Sequence, residues 1–232
     1  ADLPSDRLQI GITARGIRRT VEGCVVHGVG PSGASVEIEG SAAILAMPPR
    51  LIARAVVFDP SLDGATTRTW LGTPTWMAPH AKFFALYDRA FWREMGLSGA
   101  GRSMIGPLVE IHDATTASGR AALFGFVGIP ANQRAHAGEE AVVAAAVDQL
   151  ATMYGPLAGQ PIATLFKDWA ADPLTATPED IDMPGHPDGF RSARVEGAWA
   201  GRLYLAGSET SSREPGYLAG AVDAAERAVS EL

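Results

Sequence analysis

The central part of the chain carries strand-type segments and then changes to a helical pattern. Residues 81–87, 107–112 and 121–128 have the apolar and aromatic composition of β-strands. From residue 138 to 154 apolar residues recur at spacings of three and four, which predicts an amphipathic helix that ends at Gly155. These patterns predict an α/β (α+β) fold, in which a mostly antiparallel sheet carries packed helices.

The segment GVGPSG, residues 28–33, has the glycine spacing of a dinucleotide-binding fingerprint. Such a fingerprint requires a helix after the glycines, so that the helix N-terminus faces the pyrophosphate. Residues 34–39 instead alternate small or apolar with polar side chains, and Val36 and Ile38 favour a strand. We therefore interpret GVGPSG as the loop of a hairpin.

The C-terminal segment combines a buried strand, a polar turn and a helix. Residues 203–206 are apolar, residues 207–212 form the turn, and a helix is predicted from about Gly216. Leu218, Ala221, Val222, Ala225, Val229 and Leu232 share one face of that helix at spacings of three and four. Free main-chain N–H groups and the helix dipole make such a turn a good anion site, but an ordinary strand-loop-helix connection has the same pattern.

Composition excludes several classes of protein. A net charge of −7 gives no electrostatic reason to expect nucleic acid or an anionic membrane as a partner. The single cysteine, Cys24, excludes an internal disulfide framework, and the five histidines lack ligand spacing, so no metal site is predicted. No apolar run is long enough to cross a bilayer and no secretion pattern is visible, so we expect a cytoplasmic protein.

The segment YLAGSETSSREPGYLAGAVDAAERAV, residues 204–229, resembles the C-terminal signature of flavin-containing amine oxidases, the monoamine oxidase family. Further similar pieces follow in the family's order: AMPPRL (46–51), the Lys82 strand leading to AFW (90–92), LFGF (123–126) and DWA (168–170). The resemblance extends from about residue 17 to the end of the chain.

The resemblance also implies a missing part. Family members have an N-terminal half with a Gly-rich βαβ unit that binds the FAD adenosine, and nothing before residue 28 matches it. The chain therefore resembles the C-terminal half of such an enzyme, and the N-terminal half or a second polypeptide is an expected partner. We expect residues 1–50 and 198–232 to form part of an FAD-binding domain and residues 51–197 to form a substrate-binding domain.

The resemblance assigns roles to residues of the C-terminal turn and helix. Gly207, Ser208 and Glu209 would lie along the FAD phosphate and ribityl region. Gly216 would allow close approach to the flavin, and Tyr217 would present its ring at the substrate face. The N–H of Leu218, at the helix start, would point at the flavin pyrimidine carbonyl, with Ala221 beside the cofactor.

Two further residues gain a role from the resemblance. Lys82 would hold a water at the flavin N5 atom, whereas the residues around it, read without the resemblance, favour an edge-strand or snorkelling lysine. Trp169 would pack beside the flavin, or else be a plain core aromatic. The second ring of the family's aromatic cage is not matched, and His186 or Phe190 is the candidate for that substrate-binding place. Cys24 lies in the wrong region for a covalent flavin link, which implies non-covalent FAD.

The implied function is FAD-dependent oxidation of an amine to an imine, with dioxygen reduced to hydrogen peroxide. A related polyamine or amino-acid oxidase is an alternative; an amino-acid oxidase needs an arginine for the substrate carboxylate, and Arg93, Arg102 and Arg120 are candidates. A further alternative is a non-catalytic substrate-domain subunit.

Overall fold

The computed structural model describes residues 4–181 and 193–232. The strands of this part, numbered along the chain, are β1 Thr13–Arg19, β2 Cys24–Val29, β3 Ser35–Gly40, β4 Ala43–Leu45, β5 Val57–Asp59, β6 Ala81–Tyr87, β7 Gly101–Arg102, β8 Leu108–Asp113, β9 Ala121–Val127, β10 Ala163–Asp168 and β11 Leu203–Leu205. The α-helices are α1 Pro49–Ala55, α2 Gly64–Leu71, α3 Phe91–Glu94, α4 Ala131–Ala137, α5 Glu139–Tyr154 and α6 Leu218–Ser230.

The chain divides into two compact units, Ala1–Trp76 with Pro184–Leu232, and Met77–Met183. The boundaries differ from the expected 50/51 and 197/198. Residues 51–76 belong to the first unit because β5 pairs in parallel with β1, and because Phe58 of β5 packs edge-to-face on Trp70 and Trp199. The buried Ile52 and Leu205 contribute to the same core.

The described residues of the first unit form two sheets. Strands β3, β2, β1 and β5 form one of them, in that order. The β2–β3 hairpin confirms the interpretation of GVGPSG: its loop is closed by the Gly30 N–H, which donates to Ala34 O at 2.9 Å, and a strand follows the glycines. The other sheet is the parallel pair of β4 and β11. Ile44 of β4 is 42% exposed, so this short strand is not buried on both faces.

Helix α6 begins close to the predicted position, but the face that it buries differs from the predicted one. Gly220, Ala224 and Ala228 are its buried residues. The predicted apolar face is largely exposed, with Val222 at 58% and Val229 at 62%. Small side chains line the buried face because they let the helix approach β11 and the preceding turn closely, which a face of Val and Leu would prevent.

The second unit is the predicted antiparallel sheet with helices on one face. Its strand order is β10-β6-β9-β8-β7. The burial of β6 and β9 alternates strictly, and the buried Phe83 and Leu123 pack with Ala146 and Leu150 of α5. Gln149 of α5 holds the start of β8, because its side-chain amide bonds both N and O of Leu108 at 2.7 Å. The opposite face of this sheet, which we call the aromatic face, carries half-buried side chains that include Lys82, Phe84, Phe124 and Phe126.

Candidate functional site

The turn between β11 and α6 has a backbone shape that depends on glycine. A Cβ atom at Gly207 would lie 2.7 Å from the carbonyl oxygen of Met47, so the chain can pass β4 here only without a side chain. Gly216 adopts a φ of +80°, the left-handed region that glycine enters without a steric cost. These two residues fix the path of the chain into and out of the turn.

Side chains of α6 fasten the turn to the helix. The Nη2 atom of Arg227 donates to the carbonyl of Leu205 at 3.0 Å and to Oγ1 of Thr210 at 2.9 Å. Ser211 Oγ donates to Oδ2 of Asp223 at 2.8 Å. The first part of the turn is therefore held by α6, which keeps its main-chain groups in a fixed arrangement.

Several main-chain donors of this turn are open. Among residues 4–181 and 193–232, no hydrogen-bond acceptor lies on the N–H groups of Gly207, Ser208 or Leu218. The N-cap residue of helix α6, Tyr217, makes no side-chain cap hydrogen bond. Open N–H groups and the positive end of the helix dipole attract an anion or a carbonyl oxygen. Residues 207–218, for which the family resemblance predicts cofactor contacts, are called the cradle below.

An aromatic pair stands beside this cradle. The ring of Tyr217, a residue that is 45% exposed, contacts the ring of Trp76 edge-to-face, with centroids 4.9 Å apart. The sequence analysis did not identify Trp76. The sequence around it, TPTW, does not indicate a contact with Tyr217, which lies far along the chain. Both rings flank Gly216, whose absent Cβ would lie 3.4 Å from Trp76.

Lys82 lies on the aromatic face of the second unit. Its strand β6 is an inner strand, between β10 and β9, which excludes the edge-strand interpretation. The Nζ atom lies 5.6 Å from the ring centroid of Phe126 and 5.9 Å from that of Phe124. In the described part of the chain, no carboxylate lies within ion-pairing distance of Lys82. The ammonium is therefore stabilised by ring faces rather than by a counter-charge.

Trp169 lies near the same end of the sheet as Lys82. Lys167 is the cross-strand neighbour of Lys82, and the N–H of Trp169 donates to the carbonyl of His80 at 3.0 Å. Lys167 Nζ stands 4.7 Å from the centroid of the Trp169 ring. Trp169 is half-buried and does not belong to the hydrophobic core, so the plain core-aromatic interpretation is not supported.

The structure places the predicted site residues in two different units. Gly207, Ser208, Glu209, Gly216, Tyr217, Leu218 and Ala221 are in the first unit, and Lys82 and Trp169 are in the second. His186 and Phe190 lie outside the described residues.

Cys24 is 2% exposed, and burial raises the pKa of its thiol despite the opposing charge of Arg202. A buried thiol of raised pKa is a poor nucleophile.

Two of the arginines considered for a substrate carboxylate are engaged. Arg93 Nε donates to Oδ2 of Asp113 at 2.6 Å. Arg102 lies 3.9 Å from Glu110, and its side chain is 83% exposed. Neither presents a buried guanidinium. In the described ranges no helix is long and apolar enough to cross a membrane.

Known proteins similar to this chain are oxidoreductases. The chain is 28% identical over 196 residues to a probable flavin-containing monoamine oxidase A of Dictyostelium discoideum, which covers 82% of the chain and 41% of that protein. It is 29% identical over 198 residues to an L-amino acid dehydrogenase of Synechocystis sp., covering 84% of the chain and 41% of that protein.

Solved structures show the same fold. The structure of cyclohexylamine oxidase from Brevibacterium oxydans matches with a TM-score of 0.74 and 25% identity, over 94% of this chain and 47% of that one. Putrescine oxidase bound to putrescine matches with a TM-score of 0.72 and 23% identity, over 94% and 48%. The chain thus spans less than half the length of these relatives.

A family model described as flavin containing amine oxidoreductase matches residues 1–232, the whole chain. The resemblance in the C-terminal turn and the matching fold agree with it. The chain belongs to the flavin-containing amine oxidoreductase family.

Proposed function

We propose that this chain is the C-terminal half of an FAD-dependent amine oxidase that converts a primary amine to an imine. The observation that carries the proposal is the turn from Gly207 to Leu218, with its open main-chain donors and the exposed ring of Tyr217 beside Gly216. This arrangement fits a large, anionic and planar group such as FAD.

The residues of the turn fit the parts of FAD in order. The open N–H groups of Gly207 and Ser208 suit phosphate oxygens, as at other helix and turn N-termini. Glu209 is only 7% exposed, and its carboxylate can accept hydrogen bonds from sugar or ribityl hydroxyls. The N–H of Leu218 would donate to the flavin pyrimidine carbonyl, with Ala221 one helical turn further on. In this position the helix dipole favours negative charge on the ring system.

Lys82 and Trp169 would face the reacting end of the cofactor. An ammonium held over aromatic rings, with no described carboxylate in ion-pairing distance, is available to orient a water molecule. Trp169 would offer a flat apolar surface beside the ring system. Tyr217, paired with Trp76, would confine the amine and exclude water from it.

The chemistry that a bound flavin supplies is removal of a hydride from the carbon next to the amine, followed by transfer of both electrons to dioxygen as hydrogen peroxide. Loss of the hydride and of the amine proton leaves an imine, which water hydrolyses to an aldehyde and ammonia. The aromatic side chains contribute by favouring the neutral amine, since apolar surroundings disfavour its charged form.

Two features of the first unit support a partner half with the dinucleotide-binding motif. Strands β4 and β11 form a parallel pair, whereas parallel strands normally belong to larger, covered sheets. Helix α6 presents an exposed apolar stripe of Leu218, Val222 and Val229. A βαβ unit could extend the sheet and cover this stripe. We propose that FAD binds non-covalently, because the buried Cys24 is not suited to a covalent link.

The test is to join the chain to the N-terminal segment that its relatives carry and to assay peroxide with a panel of primary amines and amino acids. We expect peroxide with amines. Lys82→Met should lower kcat at least about tenfold without loss of flavin, since one charged hydrogen bond to water is lost. Arg120→Met, a change of an exposed cation, is the matched control. Turnover of amino acids alone, or absence of flavin from the joined protein, would defeat the proposal.

A further inference from the structure

The sequence contains only two lysines among its 19 lysine and arginine residues, and the fold sets them directly opposite each other. Lys82 on β6 and Lys167 on β10 are cross-strand partners in an antiparallel pair, so their side chains share the aromatic face. Like charges at such positions repel each other, and the Cβ atoms of the two partners lie only about 5 Å apart. Other residues therefore have to keep the two ammonium groups apart.

The two lysine side chains have different partners. The ammonium of Lys82 lies over two rings of β9, the strand on one side of β6. That of Lys167 binds Oδ2 of Asp172 at 2.5 Å and lies 4.7 Å from the centroid of the Trp169 ring. Asp172 and Trp169 both follow β10, the strand on the other side of β6. Lys167 is thus held by a carboxylate, whereas Lys82 is held over rings.

Asp172 is itself fixed by the turn in which it lies. Its Oδ1 atom accepts from the N–H of Leu174 at 2.9 Å, and its own N–H donates to the carbonyl of Trp169 at 3.1 Å. Its carbonyl accepts from the N–H of Thr175 at 3.0 Å. The hydrogen bond from Lys167, followed by that from the Leu174 N–H, lowers the pKa of Asp172. The carboxylate is therefore a charged and immobile partner for Lys167.

Arg134, another cation near the start of β6, is also neutralised. It binds the two carboxylate oxygens of Asp168 at 2.6 and 2.7 Å. Burial lowers the pKa of His80, and the charges of Arg134 and Lys82 lower it further, so this imidazole adds no positive charge at neutral pH. Of Lys82, Lys167 and Arg134, only Lys82 has no carboxylate within ion-pairing distance in the described part of the chain.

We propose that Asp172 is a positioning residue for Lys82. By holding Lys167 on Trp169, it keeps the second ammonium of the cross-strand pair away from Lys82, which then stays over the rings of β9. Without the charge of Asp172, Lys167 would be free to turn along the aromatic face and repel Lys82 from this place. The inference rests on the proposed oxidase function where it gives Lys82 a water beside the flavin.

The first experiment uses the chain alone and needs no flavin. Because the chain has two lysines, a sample with ¹³C-labelled lysine gives two sets of ε-methylene signals, and Lys167→Met assigns both by removing one. The Lys167 set should lie upfield of free lysine, because an aromatic ring shifts protons above its face upfield. Asp172→Asn should move this set back toward free lysine and displace the Lys82 set. Asparagine keeps an oxygen for the Leu174 N–H, so the variant removes the charge and not the turn.

The variant that separates positioning from a structural role combines Asp172→Asn with Lys167→Met. It has no second ammonium, so the Lys82 signals should match those of Lys167→Met alone. Lys82 signals that stay in place in Asp172→Asn, or that remain displaced in the double variant, would overturn the proposal. Asp88→Asn, which removes an exposed carboxylate just after β6, is the matched control and should move neither set. If Asp172→Asn changes the whole amide spectrum, Asp172→Ser replaces it, since a serine hydroxyl also accepts hydrogen bonds in turns.

The second experiment uses the joined enzyme. Asp172→Asn should lower kcat about fivefold at unchanged flavin content, because charges on opposed strand positions interact by amounts of this size. Adding Lys167→Met should restore kcat, and a loss that it does not repair would overturn the action through Lys167. An enzyme that makes no peroxide from any amine defeats the oxidase proposal, whereas the lysine signals of the chain alone still test the role of Asp172.

Discussion

At the scale of single residues, Asp113 shows how hydrogen bonds overcome the cost of burying a charge. Its carboxylate accepts from Nε1 of Trp92 at 2.8 Å, Nε of Arg93 at 2.6 Å and the N–H of Thr115 at 2.8 Å. Burial by itself would raise the pKa of Asp113, but the hydrogen bonds from Arg93, Thr115 and Trp92 outweigh it and lower the pKa strongly. The fully buried Trp92 connects this half-buried carboxylate to the core of the second unit.

We predict that the stability of the chain falls in acid partly through Asp113. A carboxyl whose pKa is lower in the folded state stabilises the fold above its unfolded pKa of about 3.9, and this contribution is lost as pH falls toward the folded value. Asp113→Asn should reduce the free energy of unfolding at neutral pH by about 1–3 kcal/mol and flatten the acid dependence. Urea unfolding at several pH values measures both effects, with the exposed Asp148→Asn as control. An unchanged acid profile in Asp113→Asn would contradict the assignment.

At the scale of elements, sequence patterns predicted those parts in which burial alternates or repeats regularly. Strand β6 has the predicted bounds, and α5 ends at Gly155 as predicted, because each buries one regular face. For α6 the spacing of apolar residues predicted the wrong face. The helix buries glycine and alanine, and a search for larger apolar side chains does not detect such a surface. Trp76, and the boundary of the first unit after it, depend on contacts between distant segments that no local pattern contains.

Arg134 joins three elements of the second unit, and we predict that its loss is costly. Its side chain is 2% exposed and binds β10 through Asp168, the start of α4 through Ile129, and the segment before β6 through Pro79. Arg134→Met leaves the Asp168 charge largely buried, which should cost about 3–5 kcal/mol of unfolding free energy. Arg120→Met, on an exposed turn, should have little effect. Equal stability of the two variants by urea unfolding would exclude the proposed role of Arg134.

The exposed stripe of α6 allows a prediction about the partner half. If a βαβ unit covers Leu218, Val222 and Val229, then Val222→Lys should prevent its association with the chain, because a charge would have to be buried. Glu226→Lys, on an exposed polar position of the same helix, should not. Size-exclusion chromatography of the chain mixed with the separately produced N-terminal segment measures this. Association that survives Val222→Lys would show that the partner binds elsewhere.

At the scale of the whole molecule, the two units divide the candidate chemistry. The first unit presents the open donors of the turn and the Trp76–Tyr217 pair, and the second presents Lys82 and Trp169. The chain spans less than half the length of its relatives, so the proposed activity belongs to the chain together with a dinucleotide-binding half. The sequence predicted the cradle residues only through the family resemblance, since a strand, a turn and a helix have many other uses.

The most direct test of the account is native mass spectrometry of the chain joined to the N-terminal segment of its relatives. We predict an intact mass that includes one non-covalently bound FAD. Leu218→Pro should lower the bound fraction, because proline is tolerated at the first position of a helix and removes only the N–H proposed to contact the flavin. Leu218→Ala keeps that N–H and should retain the cofactor. A wild-type protein without any flavin mass, or equal retention in both variants, would contradict the claim that this turn holds a flavin.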